Sequence, residues 1–189
     1  MEPGLIPDYL THYYLPDRKP FLSLSDLDEE NLERVLSGLK QKAERGETKR
    51  GFATWYVEER KKTELFLRSE FINKGGKPQR QYPIYFVLGK SDCQKNRDPA
   101  QAELRINLSD IPKDVISFTY PDSMATMILK NDPPYRQPYH GRLFTYAEIL
   151  DVVRKYGFPR DEAARTSKFL YPNYIEVQLW SDEPVREFL

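Results

Sequence analysis

Between Leu32 and Phe71 the apolar positions recur every three to four residues, and beyond Gly75-Gly76 they alternate or come in short runs. Leu32, Val35, Leu36, Leu39 and Ala43 define a first helix near 29–45, capped by Asp26 or Asp28 and ended by Gly46. Gly38 lies inside that pattern, at a cost of about 1 kcal/mol relative to alanine. A second helix over 52–73 carries Phe52, Trp55, Tyr56, Phe66, Leu67 and Phe71 as its apolar stripe, continued by Glu59 and Thr63. Its Trp55/Phe66 face is expected in the core, with the pairs Glu58–Lys62 and Glu64–Arg68 outside.

The later segments read as strands: 84–88, 103–108, 115–120 and 174–180, each bounded by glycine, proline or polar residues. Thr145 and Glu148 form a capping box for a helix over 146–156, and a short helical piece is expected over 161–168. The segment 142–146 has the composition of a short strand. At the start, Pro7 and Pro16 delimit an edge strand or an extended arm. Two polar loops, 91–101 and 131–138, separate the strands. The pattern predicts an α+β fold: a largely antiparallel sheet of about five strands, packed with two N-terminal helices and one later helix. One domain, 1–189, is expected, with an arm (1–25), a helical part (26–75) and a sheet-containing part (76–189).

Composition narrows the class. Charged residues make up 31 % of the chain and aromatics 13 %, which excludes a membrane-spanning helix and a disordered chain. Cys93 is the single cysteine, and Glu2, Pro3, Pro7 and Asp8 interrupt any apolar leader, so the expectation is a cytoplasmic protein. The net charge is zero, yet residues 40–80 hold 12 basic and 6 acidic side chains. Lys49, Arg50, Arg60, Lys61 and Arg68 are therefore candidates for weak nucleic-acid contact, diluted by the glutamates among them. No metal site is expected, because His12, His140 and Cys93 do not lie at ligand spacing.

Neither a nucleophile elbow nor a phosphate-cradling glycine loop is present. Tyr139-His140-Gly141 is similar to the His-Gly of poly(ADP-ribose) polymerases, but it comes too late in the chain for that mapping. Glu176 is of more interest. Strand alternation puts Tyr174, Glu176, Gln178 and Trp180 on one face, which either meets solvent or lines a cleft. Covered by other elements, Glu176 becomes a desolvated acid of the kind that active sites use.

The order of elements resembles the DNA-targeting bacterial ADP-ribosyltransferase toxins. The comparable pieces are Thr11-His12-Tyr13, the helix ending in Gly38-Leu39, Tyr85-Phe86, Leu104 to Leu108, Ser117 to Ser123, and Tyr174-Ile175-Glu176-Val177. That family's arginine after the Tyr-Phe strand is not matched, since Val87-Leu88-Gly89-Lys90 stands there. His12 is followed by Tyr13-Tyr14, and the 52–73 helix has no counterpart. The resemblance implies an NAD-dependent transferase. Glu176 would stabilise the oxocarbenium-like state, His12 would hold the dinucleotide, and Tyr14 or Tyr85 would stack on nicotinamide. A partner-binding module of the immunity, antitoxin or adaptor type is the competing expectation. It would use aromatic surfaces or the proline-rich loops.

Overall fold

The computed structural model describes residues 6–48, 54–96, 101–159 and 173–188. In chain order the elements are β1 (Tyr9–Tyr14), α1 (Glu29–Glu44), α2 (Thr54–Asn73), β2 (Ile84–Leu88), α3 (Asp92–Lys95) and β3 (Ala102–Asn107). They are followed by β4 (Ile116–Thr119), α4 (Ser123–Leu129), α5 (Tyr146–Tyr156) and β5 (Glu176–Leu179). The strands form one sheet in the order β3-β1-β2-β5-β4, with every neighbouring pair antiparallel. The fold is α+β. No helix among the described residues is long and apolar enough to cross a membrane.

β1 is neither an edge strand nor an arm. It lies between β3 and β2, with Leu10 opposite both Ile106 and Leu88. Pro7 and Pro16 merely bound it, and Leu10 and Thr11 are fully buried. Pro7 also packs tightly on the end of β2. Gly89 has a φ of +73°, and a Cβ there would come within 2.6 Å of the Pro7 ring, so only glycine closes this corner.

The register gives the sheet two unlike faces. One carries Leu10, Ile84, Phe86, Leu88, Val177, Leu179, Ile116 and Phe118, which form the main core with Ile149 and Val153 of α5. Phe144, in the segment read as a short strand, makes a single bridge to Phe118. The other face presents Tyr85, Glu176, Gln178, Trp180, Ser117 and Thr119, and α2 lies over it through Leu67, Phe71 and Glu64. This polar face explains why the expected orientation of α2 is wrong. Trp55 is 65 % exposed and Phe66 is exposed, whereas the inward stripe is Val57, Glu64, Leu67 and Phe71. A helix facing a polar sheet surface buries a polar residue in its stripe, and Glu64 pairs inward with Arg60 rather than outward with Arg68.

α1 begins at its Asp28 cap, and α5 keeps its Thr145–Glu148 capping box. Inside α1, a Cβ on Gly38 would meet nothing within 4 Å. Gly38→Ala is expected to stabilise the chain by about 0.5–1 kcal/mol, read as a higher denaturation midpoint in urea. A lower midpoint would mean that this surface of α1 is covered in the folded protein. The expected helix at 161–168 lies outside the described residues.

Candidate functional site

Six pairs join β1 to β3, but only Leu10–Leu88 and Thr11–Val87 join β1 to β2. Past that point a side chain replaces the ladder. His12 Nδ1 lies 2.8 Å from the Tyr85 carbonyl oxygen, and Nε2 accepts the Phe21 N–H at 3.0 Å. These contacts make Nδ1 the protonated nitrogen. Phe21 sits in the left-handed region, at φ 65°, an uncommon conformation for a bulky residue. Its N–H bond to His12 and its burial hold it there.

A cavity of about 830 Å³ opens beside this join. His12, Tyr14, Arg60, Tyr85 and Glu176 all line it, so four of the residues drawn from the resemblance and one of the basic candidates meet at one place. His12 and Glu176 approach it from opposite faces of the sheet, and Tyr14 stacks on His12 with centroids 5.9 Å apart. Both His12 nitrogens are engaged with backbone, so the cavity meets the ring rather than a free nitrogen.

Glu176 is partly buried at the cavity floor. Its Oε1 accepts from the Ser123 N–H at 3.0 Å and from the Gln178 amide at 3.2 Å. Gln178 is fixed in turn: its amide also donates to Thr119, and its oxygen accepts from Ser117, whose hydroxyl accepts from Trp180 Nε1. This buried chain orients the carboxylate through Oε1, and the Ser123 side chain adds a further hydrogen bond to it. Desolvation, with Asp122 nearby, raises the Glu176 pKa from 4.5 to about 7. A carboxyl whose pKa rises on folding is a cost once ionised. The folded chain binds this proton more tightly, so stability falls as pH rises from about 4.5 to about 7. The loss is on the order of 1–3 kcal/mol.

Arg60 lies deeper. Its guanidinium packs 4.4 Å over the Tyr85 ring and its Nε donates to Glu64 Oε1 at 2.9 Å, while the Tyr85 hydroxyl donates to the same oxygen at 2.8 Å. Burial and the Glu64 charge hold the Tyr85 hydroxyl well above its ordinary range, so it stays protonated. With the guanidinium on its ring, Tyr85 has one stacking face already taken. Tyr14 likewise has one face against His12, so each ring offers its other face to the cavity.

The remaining basic candidates are spread elsewhere. Arg68 donates to the carbonyls of Arg80 and Pro78, and Lys61 lies over Tyr82. Lys74 is paired with Glu148 and Lys77 with Asp114. Lys49 and Arg50 lie outside the described residues. Much of the local positive charge is thus spent within the fold. His140 is buried and accepts the Gln137 N–H through Nδ1. Cys93 is exposed on α3, and no metal-binding cluster occurs among the described residues.

No family model, curated protein or solved structure matches this chain.

The pattern of residues did not reveal Arg60 as a cavity residue or Glu64 as the buried partner behind it. A signal was available: Val57, Arg60, Glu64, Leu67 and Phe71 follow one helical stripe at spacings of three and four. Asp122 was also passed over. It caps α4 by accepting the Met124 and Ala125 N–H groups, which places the Ser123 N–H against Glu176.

Proposed function

We propose that this chain is an NAD-dependent ADP-ribosyltransferase whose reaction takes place over Glu176. The observation that carries this reading is the shared cavity. The polar face of β5 is covered and concave, and its carboxylate opens into the space that also holds His12, Tyr14 and Tyr85. A volume of about 830 Å³ suits a ligand of cofactor size. The dinucleotide supplies an activated N-glycosidic bond. When it breaks, nicotinamide leaves with the bonding electron pair, and an acceptor oxygen or nitrogen bonds to the ribose carbon and gives up its proton. Glu176 contributes a fixed negative charge, held at Oε1, that accepts from a ribose hydroxyl and stabilises the positive charge that develops on the sugar. Tyr14 offers a ring for stacking.

The first test is direct. Purified protein incubated with NAD and separate DNA and protein acceptor panels should release nicotinamide, and NAD should raise the melting temperature. Protein that neither binds NAD nor consumes it with any acceptor removes this reading. The pH profile is a second check. Glu176 must be ionised to act, so kcat/KM should fall about tenfold per unit below a midpoint near pH 7 and level off above it. A flat profile from about pH 5.5 to about 8.5 would exclude Glu176 as the essential group.

One observation favours a partner-binding role as the second reading. Trp55, Leu65, Phe66 and Ile72 of α2, with Ile128 of α4, are large apolar side chains exposed to solvent. A protein with no NAD turnover, whose self-association or partner capture is lost on Trp55→Ser, would support it.

A further inference from the structure

Arg60 is held in a way that stability alone does not account for. Its side chain is 19 % exposed, and Glu64, its partner, is fully buried. A buried pair kept for stability closes the guanidinium fork on both carboxylate oxygens. Here only Nε reaches Glu64 Oε1, and Glu64 Oε2 is buried without a hydrogen-bond partner. Of the five guanidinium N–H donors, one is used, and among the described residues neither Nη makes a hydrogen bond or ion pair. Arg60 lines the cavity, and the Tyr85 ring under its face and the Glu64 bond at its edge fix its plane. Arg18, Lys19 and Arg34 also line the cavity, Arg34 with Glu30 3.6 Å away. Of the carboxylates that line it, Glu176 interacts with the Arg60 charge and is held at Oε1 by Ser123 and Gln178, Asp122 is occupied by the α4 N–H groups, and Asp17 is paired with Lys42.

We infer that Arg60 is the anion-gripping residue of this cavity, presenting its two Nη groups to the phosphoryl oxygens of a diphosphate-bearing ligand, with Glu64 and Tyr85 as the residues that position it. The inference builds on the transferase reading, for which the ligand is a dinucleotide. A planar fork held at its Nε edge suits paired oxygens, and a lysine cannot reproduce that geometry.

The test uses inorganic pyrophosphate, ADP-ribose and NAD as separate probes, with affinities from calorimetry on the full chain. Arg60→Lys keeps the charge and should weaken pyrophosphate and ADP-ribose binding about tenfold or more. Arg60→Ala would strand a buried carboxylate, so the second variant is the double substitution Arg60→Gln/Glu64→Gln. It removes both charges together, so no carboxylate is stranded, and should fold, as read by circular dichroism, with the same loss of binding. Pyrophosphate affinity within about threefold of wild type in both folded variants overturns the inference, even if NAD is consumed. Wild-type protein that binds none of the three probes also overturns it. Pyrophosphate binding that depends on Arg60 in a protein that never consumes NAD sustains the anion site and removes the transferase reading alone.

Discussion

Glu176→Gln is expected to lower NAD turnover at least about 10²–10³-fold, the scale at which one preorganised electrostatic group acts in a site sheltered from water. The substitution preserves shape. Its amide oxygen can still accept the Ser123 N–H that now reaches Oε1 at 3.0 Å. It removes only the negative charge that the proposed reaction would use. Stability should move the other way. Because the Glu176 pKa is raised on folding, the ionised carboxylate is a liability above about pH 7, and a neutral amide removes it. The variant should therefore melt at or above the wild-type temperature at pH 8, and the difference should shrink toward pH 5. Inactivity combined with retained or improved stability separates loss of chemistry from loss of fold. Turnover within about threefold of wild type would remove Glu176 from the mechanism.

Such a trade between stability and a strained, desolvated group is common where a site does chemistry. The residues at and behind this cavity show two such liabilities. Phe21 holds a left-handed backbone against His12, and Glu64 keeps a buried oxygen without a partner beside Arg60. Both lie on the side where β1 and β2 stop pairing.

The parts of the fold legible in the sequence were those set by local rules. The change of period at Gly75-Gly76, the Thr145–Glu148 capping box and the alternation of β3 each follow from neighbouring residues alone. What escaped was decided by distant elements. β1 is interior because β3, some ninety residues later, pairs along its whole length, and no local signal announces that. α4 has seven residues, too few for a period, and its Asp122 cap went unread. Alternation put Glu176 and Trp180 on one face, but whether that face was covered depended on α2 and α4. α2 itself was misread because aromatic residues were assumed to point inward. Facing a polar sheet surface, the helix turned Glu64 inward and left Trp55 in solvent.

That reversal makes the two tryptophans a sharp pair of probes. Trp180 is fully buried, stacks on Phe71 with centroids 6.2 Å apart and donates from Nε1 to Ser117 at 2.8 Å. Trp180→Ala should cost about 3–5 kcal/mol, combining lost transfer energy with a cavity between α2 and the sheet. Trp55→Ala should change stability by less than about 0.5 kcal/mol, because solvent already surrounds most of its ring. Urea denaturation of both variants measures the contrast, and a cost below about 1 kcal/mol at Trp180 would refute this packing of α2 on the polar face. The intermediate variant links packing to chemistry. Trp180→Phe retains an aromatic ring against Phe71 but deletes the donor to Ser117, the outer end of the hydrogen-bond chain that runs through Gln178 to Glu176. Its stability cost should be about 1 kcal/mol, the scale of one neutral hydrogen bond. With Ser117 released, Gln178 and Glu176 lose part of their orientation, so kcat should fall severalfold while the pH midpoint set by Glu176 shifts. A Trp180→Phe enzyme with unchanged kcat and an unchanged pH profile would show that the chain supports the fold but does not position the carboxylate.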